Sequence, residues 1–243
     1  SFDENIAAAS VVATLSSTDE DSADTHTYSL ISGNGDTDND SFAISGNNLI
    51  VLESPNYESK SSYSIRLQTT DSSGETYAKA FTFSVNNLNE TPTDLSISSS
   101  SFNENIAAAS VIGTLSSTDE DAGDTHSYAL VEGTGDTDNN SFTIDGSNLI
   151  INSSPDYETQ DSYSIRLRTT DSSGESYVEV FSLSVNDLNE TPTDIALSSA
   201  SFNENIAAAT IIGTLSSTDE DAGDTHSYAL VEGTGDTDNN SFT

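Results

Sequence analysis

The chain repeats itself with a period of 100 residues and needs no gap to do so. Residues 1–10 read SFDENIAAAS, residues 101–110 read SFNENIAAAS, and residues 201–210 read SFNENIAAAT. Between 95–143 and 195–243 six positions differ: Leu95/Ile195, Ser96/Ala196, Ile97/Leu197, Ser100/Ala200, Ser110/Thr210 and Val111/Ile211. All six are conservative or small swaps. Near-identity at a fixed period describes one structural unit used several times, not one large domain. A unit of about 100 residues is long for a solenoid repeat and the right size for a self-contained domain. The expected division is 1–94 (a first repeat lacking the start of its first strand), 95–194 (a complete repeat) and 195–243 (a truncated third). Proline in Thr91-Pro92-Thr93-Asp94 and in Thr191-Pro192-Thr193-Asp194 marks each boundary, because it breaks strand pairing and stiffens the connection. The third repeat stops soon after its fourth strand begins, so it is expected to be partly ordered at best. Without an initiator Met, the sequence reads as a piece of a longer protein.

Within a repeat the local pattern is that of strands. Tyr163, Ile165 and Leu167 alternate with Ser164, Arg166 and Arg168, and Phe181, Leu183 and Val185 alternate with Ser182, Ser184 and Asn186. A period of two gives one inward and one wet face. Gly-, Asn-, Asp- and Ser-rich stretches such as 133–140 and 171–174 supply the turns. Strands are expected to start near residues 95, 111, 127, 141, 148, 162 and 176. Seven short antiparallel strands in about 100 residues favour a two-sheet Greek-key sandwich. The fold class is thus all-β: tandem seven-stranded Greek-key β-sandwiches, end to end. Only the Ala-rich stretch 105–110 offers even a turn of helix.

Charge decides what such a rod can meet. The 41 Asp and Glu against 5 Lys and Arg give a formal net charge of −36 at pH 7. Nucleic acid and anionic membrane surfaces are excluded as partners, since both demand clustered cations. No apolar run approaches twenty residues, so nothing here inserts directly into a bilayer. The absence of Cys rules out disulfides, and with three His the usual ligands for zinc and iron–sulfur chemistry are missing. His26, His126 and His226 occur once per repeat and cannot meet in one chain, because a unit of this kind is at least roughly 35 Å long. No Ser-His-Asp set, G-x-S-x-G or P-loop is present, which argues against an enzyme.

The carboxylates recur at fixed places. In the second repeat they are Glu104, Asp119 and Asp121 in TDED, Asp156 and Glu158 in PDYE, Asp171 in TTD, and the linker Asn186-Asp187-Leu188-Asn189-Glu190-Thr191-Pro192. Strand direction sorts them. TDED and TTD fall at one end of a sandwich, while Glu104, PDYE and the linker fall at the other. Repeats stacked end to end therefore collect six to eight carboxylates around each short linker. Such a group repels itself unless neutralised, and it offers the number of hard oxygens that Ca²⁺ takes. By contrast, the acidic loop of Asp36, Asp38 and Asp40, with its copies Asp136 and Asp138, only mimics the start of an EF-hand. Ser41 stands where Gly is required and Asn47 where Glu is required, so an Asx-rich turn is expected. Asp124, in DAGD, also reads as a turn residue.

In these motifs the unit resembles a cadherin repeat: E-N at Glu104 and Asn105, T-D-x-D at Asp119 and Asp121, D-Y-E at Asp156 and Glu158, T-D at Asp171, and D-x-N-E-x-P at Asp187, Asn189, Glu190 and Pro192. The resemblance covers the whole chain. The linker form NDLNETPTD is similar to that of bacterial cadherin-like repeats in large cell-surface or secreted proteins. The resemblance implies calcium between neighbouring repeats. At the first junction the ligands would be Glu4, Asn56, Glu58, Asn87, Asn89 and Glu90 from below, with Asp119, Asp121 and Asp171 from above. At the second they would be Glu104, Asp156, Glu158, Asp187, Asn189 and Glu190, with Asp219 and Asp221. Asp19, Asp21 and Asp71 would form the top of the first repeat, and Glu204 the base of the third. Three departures stand out: Asn56 where the second repeat has Asp156, Asn87 where it has Asp187, and Thr91 and Thr191 where many cadherins place a second Asn. With less ligand charge, the first junction is expected to bind Ca²⁺ more weakly. The chain has no Trp, so exchange of a tryptophan between molecules finds no support.

The resemblance implies a calcium-rigidified extracellular stalk of a cell-surface or secreted adhesin that mediates cell adhesion. Its partners would be the neighbouring repeats of the same chain, joined through calcium, with homophilic cell-surface partners or glycans beyond. Carbohydrate binding by a module array in a polysaccharide-associated protein is the alternative. The tyrosines count against it, because most occupy inward-looking alternate positions. A third reading makes the acidity plain salt adaptation.

Overall fold

The computed structural model describes residues 1–21 and 23–243. The protein is 38% strand and 4% helix, which makes it all-β as the alternation predicts. It forms two compact units. One comprises residues 1–95 with 117–127 and 169–177, and the other comprises 96–116, 128–168 and 178–243.

The first repeat runs β1 (Phe2–Asp3), β2 (Val11–Thr14), β3 (Thr27–Leu30), β4 (Phe42–Ser45), β5 (Asn48–Val51), β6 (Ser62–Thr70) and β7 (Thr76–Asn86). One sheet has the order β1-β7-β6-β3 and the other β2-β5-β4. The long β6–β7 hairpin pairs from Ser62↔Ser84 to Thr70↔Thr76. Phe2, Phe42, Leu49, Val51, Ile65, Leu67 and Val85 are buried together between the sheets. The Phe42 and Tyr63 rings meet edge-on at 5.4 Å, a favoured aromatic geometry.

The second repeat runs β8 (Asp94–Ile97), β9 (Ser101–Asn103), β10 (Val111–Thr118), β11 (Ser127–Leu130), β12 (Phe142–Asp145), β13 (Asn148–Ile151), β14 (Ser162–Thr170) and β15 (Ser176–Asn186). Its sheets are β12-β13-β10-β8 and β11-β14-β15-β9. In the third, β16 (Asp194–Leu197) pairs antiparallel with β17 (Leu215–Thr218). All four residues of β16 are exposed.

Two details differ from the sequence reading. The first strand of the repeat is two strands, β8 and β9, which belong to different sheets. The second piece pairs parallel, not antiparallel: Val185 faces Phe102 and Asn186 faces Asn103, just as Val85 faces Phe2. The chain crosses between sheets at the Ser-rich stretch 98–101, where no alternation holds it to one face. The Ala-rich stretch after Glu104 forms turns, not helix. Instead, short 3₁₀ turns lie at Asn39–Ser41, Asn139–Ser141 and Asn239–Ser241, after the acidic loops. There Asp36 accepts the Gly33 N–H at 2.8 Å, and Asp38 accepts the Ser64 N–H at 2.7 Å. These carboxylates are thus engaged in closing the loop.

The parallel pairing is what places the acidic residues. Glu4 follows directly on β1, and its N–H bonds to the Asn86 carbonyl at 3.2 Å. The base glutamate therefore starts where the linker leaves β7. Asn5 then turns with φ 58, a left-handed value that Asn tolerates. Its N–H reaches the Pro55 carbonyl at 2.9 Å, which draws in the PNYE turn.

Candidate metal centres

Glu4 is 1% exposed and Glu104 2%. Each buried carboxylate is held by two backbone N–H groups. Glu4 accepts from Tyr57 at 2.6 Å and from Leu88 at 2.7 Å. Glu104 accepts from Tyr157 at 2.8 Å and from Leu188 at 2.6 Å. One glutamate thereby ties the PxYE turn to the linker in each repeat.

Around Glu4 stand Glu58 and Glu90, with one oxygen from each of the three within 4.8 Å of the others. Burial, then the charges of Glu4 and Asp121, push the Glu90 carboxyl up to about 7. Burial and the nearby Glu4 raise Glu58 as well. Glu90 Oε1 accepts from Asn5 Nδ2 at 2.6 Å, while its Oε2 is buried without a partner. Asp121 reaches the same linker. It accepts the Glu90 N–H at 2.8 Å and Asn87 Nδ2 at 3.1 Å. Asn89 Nδ2 donates to Asp171 at 2.9 Å. That amide, followed by three backbone N–H groups of residues 173–175, holds the Asp171 carboxyl below its usual range. Every first-junction position except Asn56 is thus joined by contacts around one linker. The Asn56 amide is engaged at its own turn, accepting the Ser59 N–H at 2.7 Å and donating to Glu120 at 3.4 Å.

A neighbouring group is one the sequence reading missed in part. Asp119, Asp124 and Asp171 bring three carboxylate oxygens within 4.8 Å of one another. Asp124 does make the expected turn, its N–H bonding to the Asp121 carbonyl at 3.2 Å. Its Oδ2 is nonetheless buried without a partner. The only sequence signal was its recurrence as Asp24, Asp124 and Asp224. The first repeat assembles the same trio from Asp19, Asp24 and Asp71, and Asp21 lies outside it. There Asp24 accepts from Ser72 Oγ at 2.7 Å. His126 contacts Asp119 at 3.0 Å, and His26 contacts Asp19 at 3.2 Å.

The other unit repeats the pattern around Glu104. Glu104, Glu158 and Asp187 form one trio, and Glu158, Glu190 and Asp221 another. Burial, then Asp221 and Glu104, raise Asp187. Burial, then Glu104 and Asp221, raise Glu190, and burial followed by Glu104 raises Glu158. Asp221 accepts the Glu190 N–H at 2.8 Å, and Glu190 Oε2 is buried without a partner. Asp219 contacts His226 at 2.9 Å, which lowers its carboxyl. Asn189 Nδ2 folds back on the Glu190 carbonyl at 2.7 Å. Asp156 joins no trio; it caps its own turn through the Thr159 N–H and hydroxyl, both at 3.0 Å. Glu204 is exposed and joins none either.

With the fold and these groups in place, comparison with known proteins is informative. No known sequence family matches the chain, and no curated protein does. Solved structures do. The chain superimposes on human protocadherin-24 EC1-2 with a TM-score of 0.60 at 19% identity, over 77% of this chain and 93% of that one. It matches protocadherin gamma B2 extracellular cadherin domains 3-6 with a TM-score of 0.63 at 19% identity, over 90% and 53%. It also matches the protocadherin gamma B4 extracellular domain with a TM-score of 0.60 at 22% identity, over 91% and 36%. The fold is that of tandem cadherin-like β-sandwich repeats. Among the described residues no helix is long and apolar enough to cross a membrane.

Proposed function

We propose that this chain is a calcium-binding repeat segment in the stalk of an extracellular adhesin, a cell-surface or secreted protein of the bacterial cadherin-like type, and that it is not an enzyme. The observation that carries the reading is the pair of linker glutamates. Glu90 and Glu190 each have a buried oxygen without a partner, and each stands among carboxylates that raise its own. A donor set made only of oxygens, crowded and uncompensated, fits a hard divalent cation. It does not fit plain salt adaptation, which spreads charge over solvated surface.

At the first centre Glu4, Glu58, Asn87, Asn89, Glu90, Asp119, Asp121 and Asp171 would hold the ions, with Asp124 added. At the second, Glu104, Glu158, Asp187, Asn189, Glu190, Asp219 and Asp221 would do so. Asp19, Asp24 and Asp71 would bind at the top of the first repeat. Calcium supplies positive charge and tolerance for six to eight oxygens. The chain's own contribution is to gather a base glutamate, a linker and two loops of the next repeat, residues 94 and 194 being the proposed boundaries. Neutralised, these segments stop repelling one another and the linker is fixed. Adhesion partners, whether homophilic or glycan, would then be displayed on a stiffened rod.

Small-angle scattering with calcium and with chelator tests this. The expected result is a longer, better-defined particle in calcium, with unchanged β-sheet circular dichroism in both. Identical profiles, or equal responses to Ca²⁺ and Mg²⁺ in calorimetry, would overturn it.

A further inference from the structure

In the second repeat, β8 lies along β10 as the edge of a four-stranded sheet. Its inward Leu95 is 1% exposed. The Ser98 N–H bonds to the Thr114 carbonyl at 2.9 Å. In the first repeat the equivalent sheet has three strands, and β2 is its open edge. Beside it runs a groove of about 700 Å³, walled by Ala13, Leu15, Leu67, Tyr77, Phe81 and Phe83. Tyr77 is 68% exposed and Phe81 39%. Their alternate positions on β7 point them into the groove, so these aromatics are uncovered inward residues and not a surface platform.

The two grooves are not alike. Gly113 faces Ile97 so closely that a Cβ there would lie 2.7 Å from Ile97 Cγ1 and 2.8 Å from its Cδ1. Gly213 stands in the same relation to Leu197, whose Cδ1 would be 2.8 Å away. Real Cβ contacts are not that short, so glycine is what admits the γ and δ carbons of the covering strand. The first repeat has Ala13 at this position. The backbone around it is the same, for Val11↔Ile50 and Ala13↔Leu49 repeat the irregular register of Val111↔Ile150 and Gly113↔Leu149. A second difference lies on the facing wall, where Lys79 replaces Glu179.

The geometry points to β2 as a strand-acceptor edge with its own size rule. It takes an extended peptide strand, added antiparallel, that carries a large aliphatic residue in the register of Leu95 and a residue without γ atoms, alanine or glycine, in the register of Ile97. The occupant completes the sheet as β8 does, since an unpaired edge beside apolar wall residues is a template for strand addition. Ala13 makes the groove refuse the strands this chain carries, β8 with Ile97 and β16 with Leu197. Copies therefore do not exchange first strands into it.

The test uses the 243-residue protein and two peptides copying residues 93–99, one native and one with alanine replacing Ile97. Amide shifts of residues 11–14 are followed by NMR during titration. The alanine peptide is expected to shift these amides and to bind at least tenfold more tightly than the native peptide. Ala13→Gly should close that difference by admitting the native peptide, while the alanine peptide reports that the variant remains folded. No shift with either peptide, or equal binding of both to the unaltered protein, would overturn the proposal. So would concentration-dependent association abolished by replacing Leu197, which would seat a second copy in the groove.

Discussion

Replacing Glu90 by Gln should act in opposite directions with and without calcium. In the folded protein the Glu90 carboxyl sits at about 7, raised by burial and by the charges of Glu4 and Asp121. The unfolded chain holds it near 4.5. A carboxyl whose pKa rises on folding makes the folded state bind more protons between these two values. Stability from this group is therefore present below about 4.5 and is lost as pH rises to about 7. The unscreened limit for such a shift is about 3 kcal/mol. The residue is only half-buried, so solvent screening leaves about 1–2 kcal/mol. Glu90→Gln removes the charge and keeps the shape. In chelator at pH 8 the variant should be more stable by about 1–2 kcal/mol, and for a domain of roughly 100 residues each kcal/mol is worth about 4–8 °C in Tm. At pH 4 the gain should vanish, because the native carboxyl is then protonated. In calcium the sign should reverse, since the variant loses a charged ligand, with affinity falling about tenfold. Thermal melts at pH 4 and pH 8 in chelator, together with calcium calorimetry at pH 7.5, measure all three. A variant less stable than the parent at pH 8 in chelator, or one with unchanged calcium affinity, would refute the reasoning.

Asn87→Asp should strengthen calcium binding at the first centre and lower its chelated stability, because it replaces the amide donor to Asp121 with a like charge; paired calorimetry and melts show both. Asp124→Asn should weaken calcium binding at the first centre several-fold while Asp24→Asn leaves that centre unchanged, a contrast that a pure turn role for Asp124 would not produce. Ala109 sits at φ 65, where a Cβ is strained. Ala109→Gly should therefore stabilise by about 1 kcal/mol in urea unfolding. Gly113→Ala should destabilise by about 1–3 kcal/mol, because the new Cβ meets Ile97 at 2.7 Å.

Alternation of Tyr163, Ile165 and Leu167 made the long hairpins legible, since residues at a period of two either face the core or do not. Sorting acidic loops by strand direction was enough to join Glu4 with Glu90 and Asp121. The switch between sheets was not legible. β9 spans three residues, too few to show a period, and the Ser-rich run before it favours neither face. Asp156 and Asn56 were read as site residues because PDYE and PNYE look alike as strings. Their side chains cap the first turn of those strings, at Thr159 and Ser59, a local bond that competes with any distant ligand role. Asp124 erred the other way, since a residue can close a turn with its backbone and still aim its carboxylate at a neighbour.

The two centres differ in how much of their own repulsion they relieve. In the first, Asn87 donates to Asp121 and Asn89 donates to Asp171, so side-chain amides do part of the neutralising without any ion. In the second, Asp187 replaces Asn87 and is itself raised by Asp221 and Glu104, while the Asn189 amide is folded onto the Glu190 carbonyl. The second centre therefore gains more from a bound cation and holds together less well without one. As calcium falls, the first linker would release its ions first while keeping an amide-bonded arrangement, and the second would release last but change more when it does. A chain with net charge −36 thus need not lose its order uniformly. Two residue changes between otherwise matched repeats, at 56/156 and 87/187, are enough to set a gradient of calcium dependence along it.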